Sequence, residues 1–191
     1  MRFRQQAENI LVLDGTPAFV NPAAIRRLKR MADASPLKRA RICLHKRADE
    51  PIHEMLIVLA RGVYIRPHRH LNKTESFHLL EGRATVVFFN EKGKITQSHQ
   101  LARSGKGPFL YRIDRPVFHT QIVHSKYLVF YEVTSGPWVS DDTEYASWAL
   151  EKPNGPRYPF RCVGGTKKAR HHAKKPALPD SSSSAVPKDI T

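Results

Sequence analysis

From Ala40 to Thr134 the chain alternates short apolar-rich runs with turn residues. The runs are Arg41–Lys46, His53–Ala60, Val63–Arg69, Thr74–Leu80, Arg83–Asn90, Lys94–Leu101, Phe109–Ile113, Val117–Val123 and Tyr127–Thr134. Arg61-Gly62, Glu81-Gly82, Lys92-Gly93 and Gly105-Lys106-Gly107 punctuate them. Nine short β-rich segments at near-regular spacing, with no helical period between them, predict an antiparallel sandwich or barrel. Before this block, Asn21-Pro22 followed by Ile25, Leu28 and Met31 supplies an N-cap, a proline at the first helical position and apolar residues three apart. That pattern predicts one short amphipathic helix ending near Ser35-Pro36. After Gly136-Pro137, the stretch Asp141–Trp148 opens with acids and carries aromatics three apart, which predicts a short helical turn with Tyr145 and Trp148 as packing residues.

Three segments follow: residues 1–38 as an N-terminal extension with the helix, 39–150 as an all-β barrel, and 151–191 as a tail. The tail, with its Gly-Gly, its Lys/Arg/His run and Ser181 to Ser184, has too few large apolar groups to offset the entropy of ordering, and disorder is expected there. His171 and His172 fall in that run and read as solvated.

A net charge of +15, from 32 Lys and Arg against 17 Asp and Glu, raises the question of nucleic acid. Five of those net charges lie from Arg161 onward. No zinc-finger, RNP or helix-turn-helix pattern accompanies them, so no specific nucleic-acid partner is expected. Arg26, Arg27, Lys29 and Arg30 read as the solvated helix face. No apolar stretch approaches the roughly 18 residues of a membrane span, and the N-terminus has no signal-peptide core, so a cytoplasmic setting is the expectation. Cys43 and Cys162 form no CxxC pair, which leaves any metal to histidine and carboxylate.

The chemistry concentrates between Gly62 and Gly82. In a strand, alternate side chains share a face, so His68 and His70 point one way and Arg69 the other. A four-residue turn then brings Glu75 to the start of the next strand, where its carboxylate can meet the imidazoles. His78, three residues on, faces away. Two imidazoles and a carboxylate suit one divalent ion among Fe, Mn, Zn and Ni and leave coordination positions open. His119, in a later β-rich run after Pro116, is the candidate third imidazole. Glu132, inside the apolar run Leu128–Val133, is unusual because an unpaired buried carboxylate is costly. It reads as a pocket acid or base, or as the partner of Arg41. Tyr64 is a candidate donor to a substrate oxygen, and Arg66 and Lys73 are candidates to clamp an anionic substrate.

Gly62-x5-His68-x-His70-x4-Glu75-x6-Gly82 resembles the first sequence motif of the cupin superfamily at every defining position. The resemblance implies a jelly-roll β-barrel with a metal inside it, and a second motif that supplies His119. Here that second motif departs from the usual pattern, with Arg115, Pro116 and Val117 before the histidine and no asparagine after it. Within the cupins the stretch from Asn21 to Leu150 is similar to WbuC-type metalloproteins, through Ala34-Ser35-Pro36, Tyr64 to His70, Lys73, Glu75, Gly136-Pro137 and Glu144 to Ala149. Cys43, His53 and Thr74 depart from that family. The resemblance implies a setting in lipopolysaccharide O-antigen or other surface-polysaccharide biosynthesis but fixes no reaction; the first function weighed is a metal-dependent enzyme, an isomerase or oxygenase, acting on a small sugar or sugar nucleotide. The other functions weighed are a non-catalytic metal-dependent sugar- or acid-binding or regulatory module, and a metal-dependent dioxygenase of a small organic acid. Such barrels often pair through sheet edges, and a homodimer is the expected assembly.

Overall fold

The computed structural model describes residues 2–103, 105 and 107–151. The expected basic tail, with Cys162, His171 and His172, lies outside the described residues. One helix, α1 (Pro22–Ala34), and twelve strands are arranged in two sheets. Asn21 caps the helix as its sequence predicts, its Oδ1 accepting from the Ala24 amide at 3.1 Å, with Pro22 in the first turn.

The barrel strands are β4 (Ile52–Ala60), β5 (His68–His70), β6 (Glu75–Glu81), β7 (Arg83–Phe89), β8 (Ile95–Ala102), β9 (Leu110–Ile113), β10 (Phe118–Val123) and β11 (Tyr127–Ser135). β4 pairs with β11, β5 with β10, β6 with β9 and β7 with β8. That nested pairing is a long hairpin rolled onto itself, which is the jelly-roll topology. The all-β jelly roll expected from the sequence is therefore the fold observed. β3 (Arg39–Cys43) extends the β4 edge of the larger sheet, and β12 (Thr143–Tyr145) extends the β5 edge of the smaller one. A hairpin of β1 (Arg2–Ala7) and β2 (Ile10–Asp14) adds two more strands beyond β3, with β2 parallel to β3.

Two apolar layers fix the site. Between the sheets, Phe77, Leu79, Val86, Leu101, Leu128 and Phe130 fill the barrel interior, with the Phe77 and Phe130 rings stacked 4.1 Å apart. Outside the larger sheet, α1 lays Ala24, Leu28 and Ala32 on Leu11, Ala40, Ile42, Leu56 and Val58. Because the helix takes the apolar face of β3, the polar alternants of that strand turn toward the barrel interior.

Three sequence expectations need correction. The strand expected over Val63–Arg69 is confined to His68–His70, since the Ile65 carbonyl accepts from the Thr120 hydroxyl at 2.5 Å and Pro67 has no N–H for a ladder. The helical turn expected over Asp141–Trp148 is a single 3₁₀ turn at Ser140–Asp142, after which Thr143–Tyr145 pairs with β5. Trp148 packs on Phe89 and Phe118 as expected, whereas Tyr145 is 55% exposed and is not a packing residue. Among the described residues no helix is long and apolar enough to cross a membrane.

Candidate metal centre

β5 lies between β10 and β12, with His68 directly opposite His119 and His70 directly opposite Thr143. Strand alternation sends His68 and His70 into the barrel and Arg69 outward. There Arg69 meets Glu144 at 2.9 Å and Glu91 at 2.6 Å, its guanidinium 4.4 Å from the Phe118 ring centroid. Glu75 opens β6 in the facing sheet and reaches across. Its Oε1 is 3.0 Å from His119 Nε2 and its Oε2 is 3.4 Å from His70 Nε2. The His68 ring is 4.6 Å from that of His119 and 5.2 Å from that of His70, centroid to centroid. The four side chains singled out in the sequence thus meet at one point, with Glu75 and His119 buried. His78 lies on β6 beside Phe109, away from them.

The outer nitrogens of the three imidazoles are all engaged. His68 Nδ1 donates to the Arg66 carbonyl at 2.9 Å and His119 Nδ1 to the Val117 carbonyl at 3.0 Å. His70 Nδ1 shares a hydrogen bond with the Thr143 hydroxyl at 3.2 Å. A carbonyl can only accept, so in the neutral forms of His68 and His119 the Nε2 lone pair faces the centre. Metal-binding histidines are oriented in this way.

Burial, reinforced by His119, lowers the His68 pKa to about 4 and keeps that ring neutral. Burial alone would raise the Glu75 carboxyl, but the hydrogen bonds from His119 and His70 prevail and hold it below its ordinary value. His119 is the counterpart: burial opposes its charge, and Glu75 outweighs burial to raise its pKa. In this state the cluster is closed up by its own protons. Among the described residues no three or more His, Cys, Asp or Glu side chains are set out as a ready metal shell. Two of the donor spacings nonetheless match those around a divalent ion, and the donor types, imidazole and carboxylate, suit one. Donors about 2.1 Å from a metal stand about 3.0 to 3.4 Å apart in octahedral or tetrahedral geometry, and the Glu75 oxygens already lie 3.0 and 3.4 Å from two imidazole nitrogens.

The cluster opens on a cavity of about 1030 Å³ lined by β3, β4, β11 and the Tyr64–Lys73 segment. Glu132 and Tyr64 both line it. Burial first and Glu75 second raise the Glu132 carboxyl to about 8, against the pull of Arg41 and His119, so it keeps its proton at neutral pH. The Tyr64 hydroxyl donates to the Leu150 carbonyl at 2.7 Å, and burial raises its pKa. Lys73 lies 3.6 Å from the buried Asp142 carboxylate, and Arg66 donates from Nη2 to the Ala146 carbonyl at 3.2 Å. Sequence reasoning gave no role to Thr143, Cys43, His45 or His53. The last three line the cavity, the His45 and His53 rings stacked 4.2 Å apart at the end of the β3–β4 ladder. Alternation along β3 was the available signal, but it leaves open which face turns inward.

The raised Glu132 pKa makes a testable difference. A carboxyl with its folded pKa above the unfolded one stabilises the fold fully below about 4.5, and that contribution is lost as pH rises through about 8. Chelator-treated Glu132→Gln should match wild type near pH 4 and exceed it by roughly a few kcal/mol above pH 8. Denaturant melts at both pH values check this; an equal difference at both would exclude a buried protonated carboxyl.

Comparison with known proteins follows the same region. The model of a family described as a domain of unknown function (DUF6016) matches residues 20–101, from the helix through β8, taking in His68, His70 and Glu75 and ending before His119. No curated protein matches the sequence. Solved structures similar in shape include protein SO0799 of Shewanella oneidensis, 13% identical with a TM-score of 0.47, over 55% of this chain and 72% of that one. The cupin domain of Cnp3 from Schizosaccharomyces pombe is 13% identical with a TM-score of 0.41, over 51% of this chain and 64% of that one. Oxalate decarboxylase of Bacillus subtilis, whose Mn(II) centres have been described, is 16% identical with a TM-score of 0.40. The match covers 50% of this chain and 24% of that enzyme.

Proposed function

We propose that this chain is a metal-binding protein of the cupin type, holding one divalent ion through His68, His70, Glu75 and His119 and presenting it to a small molecule in the adjoining cavity. The observation that carries this reading is the convergence of three imidazoles, each tied at Nδ1, on one buried carboxylate. When bound, such an ion supplies Lewis acidity or, if redox-active, electron transfer.

The residues around it divide the remaining work. Glu132 carries a proton at neutral pH and faces the same cavity, which suits it to give or take a proton on a bound substrate. Tyr64, which lines the cavity and donates its hydroxyl proton to the Leu150 carbonyl, is suited to orient a substrate oxygen rather than to exchange a proton with it. Phe130 and Ile57 give this cavity apolar lining.

The likeness to WbuC-type proteins points to surface-polysaccharide metabolism, and the motif with its open coordination positions to a small sugar or sugar nucleotide handled by isomerisation or oxygenation. A cytoplasmic setting, and a homodimer because such barrels often pair through sheet edges, complete this reading. A non-catalytic sugar- or acid-binding module would use the same residues without turnover. Elemental analysis of protein purified without chelators should find about one divalent ion per chain, and His70→Ala should lose it. Retention of the full complement by His70→Ala would sink the assignment, whichever substrate is turned over.

A further inference from the structure

β3 carries two exposed arginines on its cavity side. Ala40 and Ile42 pack under α1, so Arg39, Arg41 and Cys43 face the cavity. The two guanidinium-bearing residues are two apart on one strand face, about 7 Å along the chain. Among the described residues neither makes an ion pair. Arg66 enters from the other side of the same cavity, its Nε buried without a hydrogen-bond partner.

Three acids share this space, Glu75, Glu132 and Glu151. Glu75 is held by His119 and His70, half-buried Glu132 lies close enough to Arg41 to feel its field while burial keeps its pKa raised, and Glu151 is exposed at the cavity. Three arginines therefore bring positive charge to the cavity, Arg39 and Arg41 from its exposed β3 side, and among the described residues none of the three forms an ion pair with an acid of the protein. A guanidinium presents planar, paired donors that fit carboxylate and phosphate oxygens.

We propose that Arg39 and Arg41 on β3, with Arg66 opposite, form an oxyanion subsite that binds the phosphate or carboxylate group of a small ligand in the cavity beside the metal centre. The inference rests on this cavity being the ligand site, but it does not depend on a metal being bound.

Isothermal titration of the full chain, chelator-treated, with inorganic phosphate and separately with citrate tests it and distinguishes the two anion sources. Either anion should bind. The Arg39→Gln/Arg41→Gln double variant should weaken that binding at least tenfold, while Lys94→Gln, on the exposed turn before β8, should leave it unchanged. Arg41→Lys keeps the charge without the fork and should fall between, which keeps the test decisive if the double variant folds poorly. His70→Ala should retain anion binding even where it has lost metal, so failure of the metal assignment and failure of this one are separable. No binding of either anion, or equal binding by wild type and the arginine variants, would overturn the proposal.

Discussion

Glu75→Ala should cost the protein its metal, with affinity falling on the order of a hundredfold or more. That is at or beyond the ten- to hundredfold loss that follows when only an outer-shell partner is removed. The reasoning is geometric. Glu75 is the single carboxylate of the cluster, and the only one of the four residues contributed by the larger sheet. Removing it leaves three imidazoles on β5 and β10 facing a void, with no negative charge to offset a divalent ion. Thr143→Val, by contrast, removes only the hydrogen bond at His70 Nδ1 and should weaken binding by about tenfold. Competition with a chromophoric chelator measures both; a Thr143→Val loss equal to that of Glu75→Ala would contradict the assigned roles.

The second large effect concerns the two glycines that bracket the site. Gly62 and Gly82 both have positive φ, +87° and +96°, a conformation that costs an L residue roughly 1–2 kcal/mol. At Gly62 nothing lies within 4 Å of where a Cβ would stand, so Gly62→Ala should cost about that amount and no more. At Gly82 a Cβ would stand 2.2 Å from the Tyr127 carbonyl oxygen and 3.2 Å from the Leu128 Cα, both backbone atoms of the paired strand β11. Neither can move without opening the β6–β11 ladder. Gly82→Ala should therefore destabilise by roughly 3 kcal/mol or more, among the larger effects of single substitutions. Chemical denaturation of the pair gives the comparison, and equal losses would show that conformation alone matters at Gly82.

These two glycines also show what the sequence could and could not convey. Their spacing around His68, His70 and Glu75 is legible because a strand has period two and a tight turn demands positive φ, both of them local properties. The outward course of Arg69, toward Glu144 and Glu91, follows from the same rule. β12 was not legible, because Thr143–Tyr145 becomes a strand only by pairing with the open edge of β5, some 75 residues away in the chain. β1 was equally silent: Arg2–Ala7 lies almost wholly exposed at the sheet edge and so shows no apolar alternation. The cavity face of β3 was the subtlest case. A strand reading Arg-Ala-Arg-Ile-Cys turns its arginines to solvent, as both do here, but because α1 covers the apolar side their exposed face is also the one that lines the cavity. That placement depends on which face of the sheet the helix lands on, a tertiary choice that the alternation itself does not encode.

The most direct test of the central claim is X-ray absorption spectroscopy of the full chain loaded with one equivalent of zinc. The account predicts a first shell of nitrogen and oxygen donors at about 2.0–2.2 Å, with multiple scattering from three imidazoles that drops to two in His119→Ala. A shell containing sulfur, or one with fewer than three imidazoles in the wild type that His119→Ala leaves unchanged, would contradict it.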